Sequence, residues 1–267
     1  MNYYKIYQID DMTWRLEDCF RGYIYLLEGE KSAILIDTGF GLPNLNILVK
    51  QLTNKPITVL NTHGHGDHIG GNDQFQDCRM MECDREVALS HMKKDYRKKI
   101  LSSLVDEFSL QMNEQFIDEL VDTKNIDTFR PLENNEIFDL GGRTLEVIAV
   151  PGHTPGSICI LDHERKNLFS ADTVCDQGVL LFFDHSMPVS DFLESIQRLQ
   201  LRQNEYERMW PGHHICPLNK DFLKRYETCA ATILTDPKKG EEIETNIGRG
   251  RIYSHMGISI AYNEKKV

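Results

Sequence analysis

Three histidines and one aspartate fall within six residues of this 267-residue chain, in the order His63-x-His65-x-Asp67-His68. The apolar run 56–60 comes directly before them and predicts a strand buried inside a sheet. Neutral imidazole and carboxylate are ligands that Zn²⁺ accepts at ~2.0–2.2 Å. Gly64 and Gly66 lie between the potential ligands and permit the tight backbone conformations that make them converge. The cluster therefore predicts a metal site; the alternative is a polar loop of solvated histidines.

Six residues cannot fill two metal sites, and three further candidate donors each follow a predicted strand. They are His153 in a Pro/Gly loop, Asp172 at a strand end and His213 after a short strand. Taken singly, each is equally well explained as a turn or capping group. Taken in this order behind the first cluster, they predict that the later part of the chain completes the ligand set.

The pattern of elements predicts α/β layers in which helices cover sheets. Predicted strands occupy much of the first sixty residues, and strands and helices alternate again after residue 136. Between 93 and 127, apolar residues recur every three or four positions, which indicates a helical insertion. We expect this insertion to cover the site entrance, with a dimer contact as the alternative. No low-complexity linker divides the chain, so we expect one domain over 1–267 with a tail from about 236 to 267.

Taken together, these motifs resemble the metallo-β-lactamase superfamily over roughly residues 20 to 215. The resemblance implies a four-layer αββα sandwich with two pseudo-repeated halves, here carrying a helical insertion around 94–125. It also implies a dinuclear metal site at the sheet edges. Carried over by position, one metal would be held by His63, His65 and His153, and the second by Asp67, His68 and His213, with Asp172 bridging them.

Two positions separate the chain from particular members of that superfamily. The commonest zinc β-lactamases are secreted and carry Cys at the position of Asp172, and flavin-coupled diiron members carry Glu at the position of His65. The chain therefore looks like the branch with a bridging Asp, which includes glyoxalase II-type thioesterases, lactonases and phosphodiesterases such as tRNA 3′-processing nucleases.

The chemistry expected of such a site is hydrolysis. Two divalent cations that share a solvent oxygen bring the pKa of water towards 7, so that hydroxide is available at neutral pH to attack an acyl or phosphoryl centre. Asp67 is the candidate catalytic residue that orients this nucleophile or shuttles its proton. Asp37, at the end of a buried predicted strand, is the candidate partner that fixes an imidazole tautomer. Its alternative role is to cap the helix predicted from Leu42.

Candidate substrate contacts are weaker signals. The apolar run after Asp172 includes Phe182 and Phe183 and ends near His185, which suggests an acyl-binding wall, with ordinary core packing as the alternative. His255 is a further candidate from the tail. A basic group at the start of the insertion (Lys93, Lys94, Arg97, Lys98 and Lys99) is expected to be a solvated helix face. Cys175 is interpreted as a bystander, and His91 as a surface residue.

Composition narrows the class of partner. The chain has 30 Lys+Arg and 41 Asp+Glu, a net charge of −11, which weighs against nucleic acid as the partner. No apolar run approaches the ~20 residues of a membrane span, and the first ten residues do not resemble a signal peptide. Seven unpatterned cysteines favour a reducing compartment.

We therefore expect a cytoplasmic, dinuclear metal-dependent hydrolase of a small acyl substrate, a thioester or lactone. Zn²⁺ is the favoured metal, with Fe and Mn as alternatives. The rival functions are a phosphodiesterase or nuclease and a non-catalytic metal-binding protein.

Overall fold

The computed structural model describes residues 3–107, 114–121, 129–245 and 247–267. The chain divides into two compact units. The N-terminal unit comprises Met1–Leu132 with Asp139–Arg143, and the C-terminal unit comprises Glu133–Phe138 with Thr144–Val267. Among the described residues, no helix combines the length and the apolar character needed to cross a membrane.

The N-terminal unit is built on one seven-stranded sheet whose strands follow the order of the chain. The strands are β1 (Tyr4–Asp10), β2 (Thr13–Asp18), β3 (Tyr23–Glu28), β4 (Ala33–Ile36), β5 (Ile57–Leu60), β6 (Cys78–Met81) and β7 (Arg130–Leu132). The first four pair antiparallel, whereas β4 to β7 pair parallel. All four residues of β4 are buried, as its unbroken apolar run predicts.

The helices of this unit are α1 (Leu45–Leu52), α2 (Gly66–Ile69), α3 (Arg85–His91), α4 (Lys94–Glu107) and α5 (Glu114–Val121). In α1, Leu45 and Val49 are buried at the i, i+4 spacing of one helix face, and the extended backbone of Thr53 ends the helix. The helices α4 and α5 confirm the predicted helical insertion where it is described. The predicted positions 108–113 and 122–127 lie outside the described residues.

The C-terminal unit contains two sheets. The five-stranded sheet has the order β13-β11-β10-β9-β8, and the four-stranded sheet has the order β12-β16-β15-β14. The elements are β8 (Ile137–Asp139), β9 (Thr144–Ala149), β10 (Ile158–Asp162), β11 (Asn167–Ala171), β12 (Val179–Leu181), α6 (Val189–Leu201), β13 (Arg208–Pro211), α7 (Asp221–Thr235), β14 (Glu241–Thr245), β15 (Gly248–His255) and β16 (Ile258–Tyr262). The helices α6 and α7 pack against each other, with Phe192 edge-on to Tyr226 at 5.8 Å between ring centroids.

The C-terminal tail is an integral part of this unit. Its strands β15 and β16 pair antiparallel, and β16 also pairs in parallel with β12, which lies in the loop beyond Asp172. Phe182, next to β12, packs over Gly248 and Gly250, where a Cβ atom would lie 2.5 and 2.9 Å from its side chain. The two glycines therefore provide the space that this buried ring occupies.

Candidate metal centre

The His63–His68 cluster begins directly after β5, at the carboxyl end of the parallel part of the N-terminal sheet. Asp37 directly follows β4, the parallel neighbour of β5, and Ile36 is in register with Leu60. Parallel strands end at the same edge of a sheet, so the chain after each strand meets its neighbour there. Asp37 has a left-handed backbone, with φ of 63°. Holding a non-glycine residue in this conformation costs conformational free energy, and such strained residues are common at functional sites.

The carboxylate of Asp37 holds the segment that carries the histidines. Its Oδ1 accepts the backbone N–H of Thr62 at 2.7 Å, and its Oδ2 accepts the Thr62 hydroxyl at 2.7 Å. Oδ2 also lies 2.7 Å from Nδ1 of His68. A carboxylate can only accept, so His68 carries its proton on Nδ1 and turns an Nε2 lone pair the other way. This geometry supports the predicted role of Asp37.

Thr62 extends this control to His63. Its hydroxyl gives its one hydrogen to Asp37, so it can only accept from Nδ1 of His63, which lies 3.1 Å away. His63 is therefore also an Nδ1–H tautomer with a lone pair on Nε2. The His63 ring lies 4.1 Å from the His68 ring and 4.6 Å from the His65 ring, centroid to centroid. All three rings are buried.

Asp67 differs from the three histidines in remaining accessible. Its side chain is 24% exposed, and its Oδ2 lies 3.6 Å from Nε2 of His68. Burial and the negative charge of Asp67 raise the pKa of Tyr96 above its usual range, which places this phenol in the electrostatic field of Asp67. The N-terminal donor set, defined as His63, His65, Asp67 and His68, thus combines buried imidazoles with one accessible carboxylate.

The two glycines of the motif serve a purpose other than the one expected from sequence. Neither glycine has a left-handed backbone, so neither position requires glycine for a positive φ. A Cβ on Gly64 would lie 2.8 Å from the carbonyl oxygen of Asp84, and one on Gly66 would lie 3.3 Å from the carbonyl oxygen of His91. They allow the loop to approach the segment that contains α3.

In the C-terminal unit, Asp172 and His213 follow β11 and β13, which are parallel neighbours. Oδ1 of Asp172 lies 3.6 Å from Nε2 of His213, and its Oδ2 lies 3.7 Å from Nε2 of His153. Each carboxylate oxygen therefore faces a different imidazole. Asp172, His153 and His213 form the C-terminal donor set.

His153 is held in place by Leu180 of β12 and by Ser186. Its Nδ1 lies 2.7 Å from the carbonyl oxygen of Leu180, and its backbone oxygen accepts the hydroxyl of Ser186 at 2.9 Å. Since a carbonyl oxygen can only accept, the proton of His153 is on Nδ1 and its Nε2 lone pair is directed towards Asp172. The same tautomer thus recurs at His63, His68 and His153.

The predicted substrate residues occupy different environments. Phe183 lies edge-on to His153 at 5.9 Å and stacks with His185 at 5.1 Å. Phe182 is buried against β15, as described above. His255 lies at the end of β15 with its ring stacked on Tyr253 at 6.2 Å. Phe183 therefore lies beside a predicted metal ligand, and His185 and Phe182 both contact the ring of Phe183. A substrate role for any of the four stays a prediction.

Two expectations about flanking residues need correction. His91, set aside as a surface residue, stacks on His65 with the ring centroids 4.3 Å apart and the planes 18° apart. Arg97, expected on a solvated face, is 3% exposed. No local motif marks either residue, because their surroundings come from the packing of α3 and α4 against the motif loop. Asp84 and Tyr96 were missed for the same reason.

Both donor sets suit a divalent cation. Three imidazoles present deprotonated Nε2 atoms, the protonation state required of a ligand, and their Nδ1 atoms donate to oxygen acceptors as metal-binding histidines do. The carboxylates of Asp67 and Asp172 add negative charge to the neutral imidazoles. Imidazole with carboxylate is a donor combination that serves Zn²⁺, Fe²⁺ and Mn²⁺.

Comparison with known proteins identifies the class. Residues 18–213 match the metallo-beta-lactamase superfamily, so the chain belongs to that superfamily. Its fold is the metallo-β-lactamase fold: the metallo-beta-lactamase from Pontibacter korlensis superposes with a TM-score of 0.62 over 85% of this chain and 99% of its own, at 18% identity.

Two similar proteins are hydrolases by name. The acyl-coenzyme A thioesterase MBLAC2 of Homo sapiens is 28% identical over 224 residues, covering 72% of this chain and 73% of its own. The hydroxyacylglutathione hydrolase GloC of Haemophilus influenzae is 30% identical over 156 residues, covering 57% of this chain and 66% of its own. The present protein is accordingly a metal-dependent hydrolase, as the sequence predicts.

Proposed function

We propose that this protein hydrolyses a small acyl thioester with two divalent cations, Zn²⁺ being the favoured metal. One cation would be held by His63, His65 and His153. The other would be held by Asp67, His68 and His213, and Asp172 would be a ligand of both. The observation that carries the proposal is the shared tautomer of His63, His68 and His153, each of which presents a deprotonated Nε2. Membership of the metallo-β-lactamase superfamily supports the same assignment.

Bound cations of this kind supply hydroxide at neutral pH and polarise the acyl oxygen under attack. The protein groups orient the reactants. Asp37 and Thr62 fix the rings of His63 and His68, so that little reorganisation is needed when substrate binds. Asp67 would orient the nucleophile and carry its proton towards the departing thiolate; its accessibility within the N-terminal donor set supports this role.

The substrate class rests on two supports. The names of the relatives point to thioesters: acyl-coenzyme A for MBLAC2 and hydroxyacylglutathione for GloC. The ring of Phe183 lies beside His153 and carries His185 stacked on it, and an acyl chain could contact this pair of rings. A lactone is the closest alternative, since it presents the same acyl centre. The net charge of −11 favours a small molecule over nucleic acid, and the chain is proposed to work in the cytoplasm.

The decisive experiment compares two substrates on the metal-replete protein, an acyl thioester and an activated phosphodiester. Each rate is measured again after chelation and after re-addition of Zn²⁺ or Mn²⁺. We expect a thioester rate far above the diester rate, lost on chelation and restored by metal. Asp67→Asn should lower kcat with the protein still folded, whereas Asp10→Asn, in the β1–β2 turn, is the matched control. A diester rate above the thioester rate would reject the acyl assignment in favour of a phosphodiesterase.

A further inference from the structure

The segment that contains α3 contacts the metal-ligand loop near both of its own ends. At its N-terminal end, Oδ2 of Asp84 accepts the backbone N–H of Gly64 at 2.7 Å. At its C-terminal end, the ring of His91 stacks on that of His65 at 4.3 Å. The segment from Asp84 to His91 therefore contacts the loop twice, at the backbone of Gly64 and at the ring of His65.

Asp84 is a carboxylate with 0% exposure. Removing such a group from water is costly unless it is hydrogen-bonded, so each bond it accepts matters to the fold around it. It directly precedes α3, where an Asp commonly caps the helix, yet its side chain makes no capping hydrogen bond there. It instead accepts the N–H of the residue between His63 and His65, and so acts on the motif loop.

His91 is held in place from its other side. Its ring contacts Tyr96 at 4.7 Å between centroids, with the planes tilted by 59°. Tyr96 belongs to α4, whose Arg97 is buried and donates to the carbonyl oxygen of Phe40 at 2.6 Å. The plane of His65 is thus fixed by a chain of contacts that ends in the core of the N-terminal unit.

We propose that Asp84 and His91 are positioning residues, which set the geometry of the metal ligands His63 and His65 through Gly64 and through the His65 ring. The inference rests on the proposed function only in taking His63 and His65 as ligands. It adds two residues, from a separate helix, to the partners that Asp37 and Thr62 already provide. Residues that orient metal ligands in this way typically change metal affinity or activity ~10- to 100-fold when removed.

The test measures metal binding directly, with Co²⁺ as the probe, because its visible absorption bands report coordination geometry. Four variants form two pairs. Asp84→Ala removes the acceptor, whereas Asp84→Asn keeps a side-chain oxygen in the same place. His91→Ala removes the stacked ring, whereas His91→Phe keeps a ring. Co²⁺ affinity, the Co²⁺ spectrum, kcat and KM are measured for each.

We expect both alanine variants to bind Co²⁺ ~10- to 100-fold more weakly with altered visible bands, and both conservative variants to restore most of the affinity and the native spectrum. Val49→Ala, which removes buried methyl groups from α1, is the control: it should lower the melting temperature and leave the spectrum unchanged. A variant that only destabilises the fold would likewise have a lower melting temperature and an unchanged Co²⁺ spectrum.

Alanine variants with native affinity and native bands would overturn the inference. If Asp84→Ala does not fold, the His91 pair decides on its own. A wild-type protein that binds Co²⁺ but leaves thioesters intact would count against the proposed function alone, because the variant series would still report on the ligand geometry.

Discussion

Asp37 shows how much of this site depends on one side chain. The same carboxylate accepts a backbone N–H, a hydroxyl and an imidazole N–H, and through these three bonds it determines the tautomers of two predicted ligands. Its left-handed backbone adds a local cost that the surrounding hydrogen bonds offset. A residue that only capped α1 would need neither this conformation nor these partners.

Replacing Asp37 should therefore reduce metal content before it reduces anything else. In Asp37→Ala, His68 loses its acceptor and Thr62 loses its anchor, so we expect metal affinity to fall ~10- to 100-fold. The measurement is zinc per chain after dialysis against a buffer of fixed free Zn²⁺. Asp10→Ala, which removes a carboxylate that accepts a turn N–H far along the chain from the histidines, is the control. Full occupancy in Asp37→Ala would refute the role.

At the scale of elements, α4 packs within the N-terminal unit through its buried face. Lys93, Lys94, Lys98 and Lys99 are exposed, as expected of a solvated face, but Arg97 between them is not. Its guanidinium reaches the carbonyl oxygen of Phe40, and burial lowers its pKa to about 10, so it stays charged at neutral pH. Arg97 shares one buried face of α4 with Leu101 and Val105, at i, i+4 spacing. Lys98 and Lys99 turn to other faces of the helix.

We expect Arg97→Ala to lower the free energy of unfolding by about 1.5–3 kcal/mol, the usual range for a buried hydrogen bond that involves a charged group. Urea unfolding of both proteins measures this difference. Lys98→Ala is the matched control from the same helix. Its ion pair with Asp118 is half-exposed, so its removal should cost less than about 1 kcal/mol. Equal losses in the two variants would show that Arg97 is not the attachment.

At the scale of the whole molecule, we expect acid to act on stability through a network of charged groups in the C-terminal unit. Arg202, directly after α6, binds Glu146 of β9 with both terminal nitrogens, at 2.6 and 2.7 Å. It also binds Glu205 at 2.7 and 2.8 Å. Glu146, Glu205 and His163 could be mistaken for a metal site, but the guanidinium already occupies the carboxylates.

The hydrogen bonds and charge of Arg202 lower the pKa of Glu146 and Glu205 below their ordinary values, against the smaller opposing effect of burial. Since the folded-state pKa values are depressed, the stabilisation is complete above the unfolded value of about 4.3 and is lost as pH falls through the folded values. Arg202→Met should therefore lower the melting temperature clearly at pH 7 and much less near pH 3.

Thermal unfolding between pH 3 and 7 measures this prediction. The control is Lys224→Met, which breaks an exposed i,i+3 pair with Glu227 on α7. It should change the melting temperature little at any pH. A difference between Arg202→Met and wild type that does not shrink in acid would contradict the assignment of the network.

The sequence by itself determined the class of fold, the metal-binding motif and the class of enzyme, a hydrolase. These are local signals: buried strands are continuous apolar runs, and β4 and β5 were found from them. The helical insertion was predicted from apolar residues that recur every three or four positions, and α4 and α5 form its described part. His63 to His68 are adjacent in the chain, so their chemistry can be recognised without any contact being known.

Only the tertiary structure decided what surrounds those ligands. The tautomers of His63 and His68 depend on Asp37, more than twenty residues earlier, and the loop geometry depends on Asp84 and His91 in a helix that the sequence did not predict. The strands β2 and β6 were also missed, because short half-buried segments carry weak periodicity. Motifs record the identity of neighbours in the chain. Orientation, burial and protonation are set by neighbours in space, which become known only when the sheet edges and helices have come together.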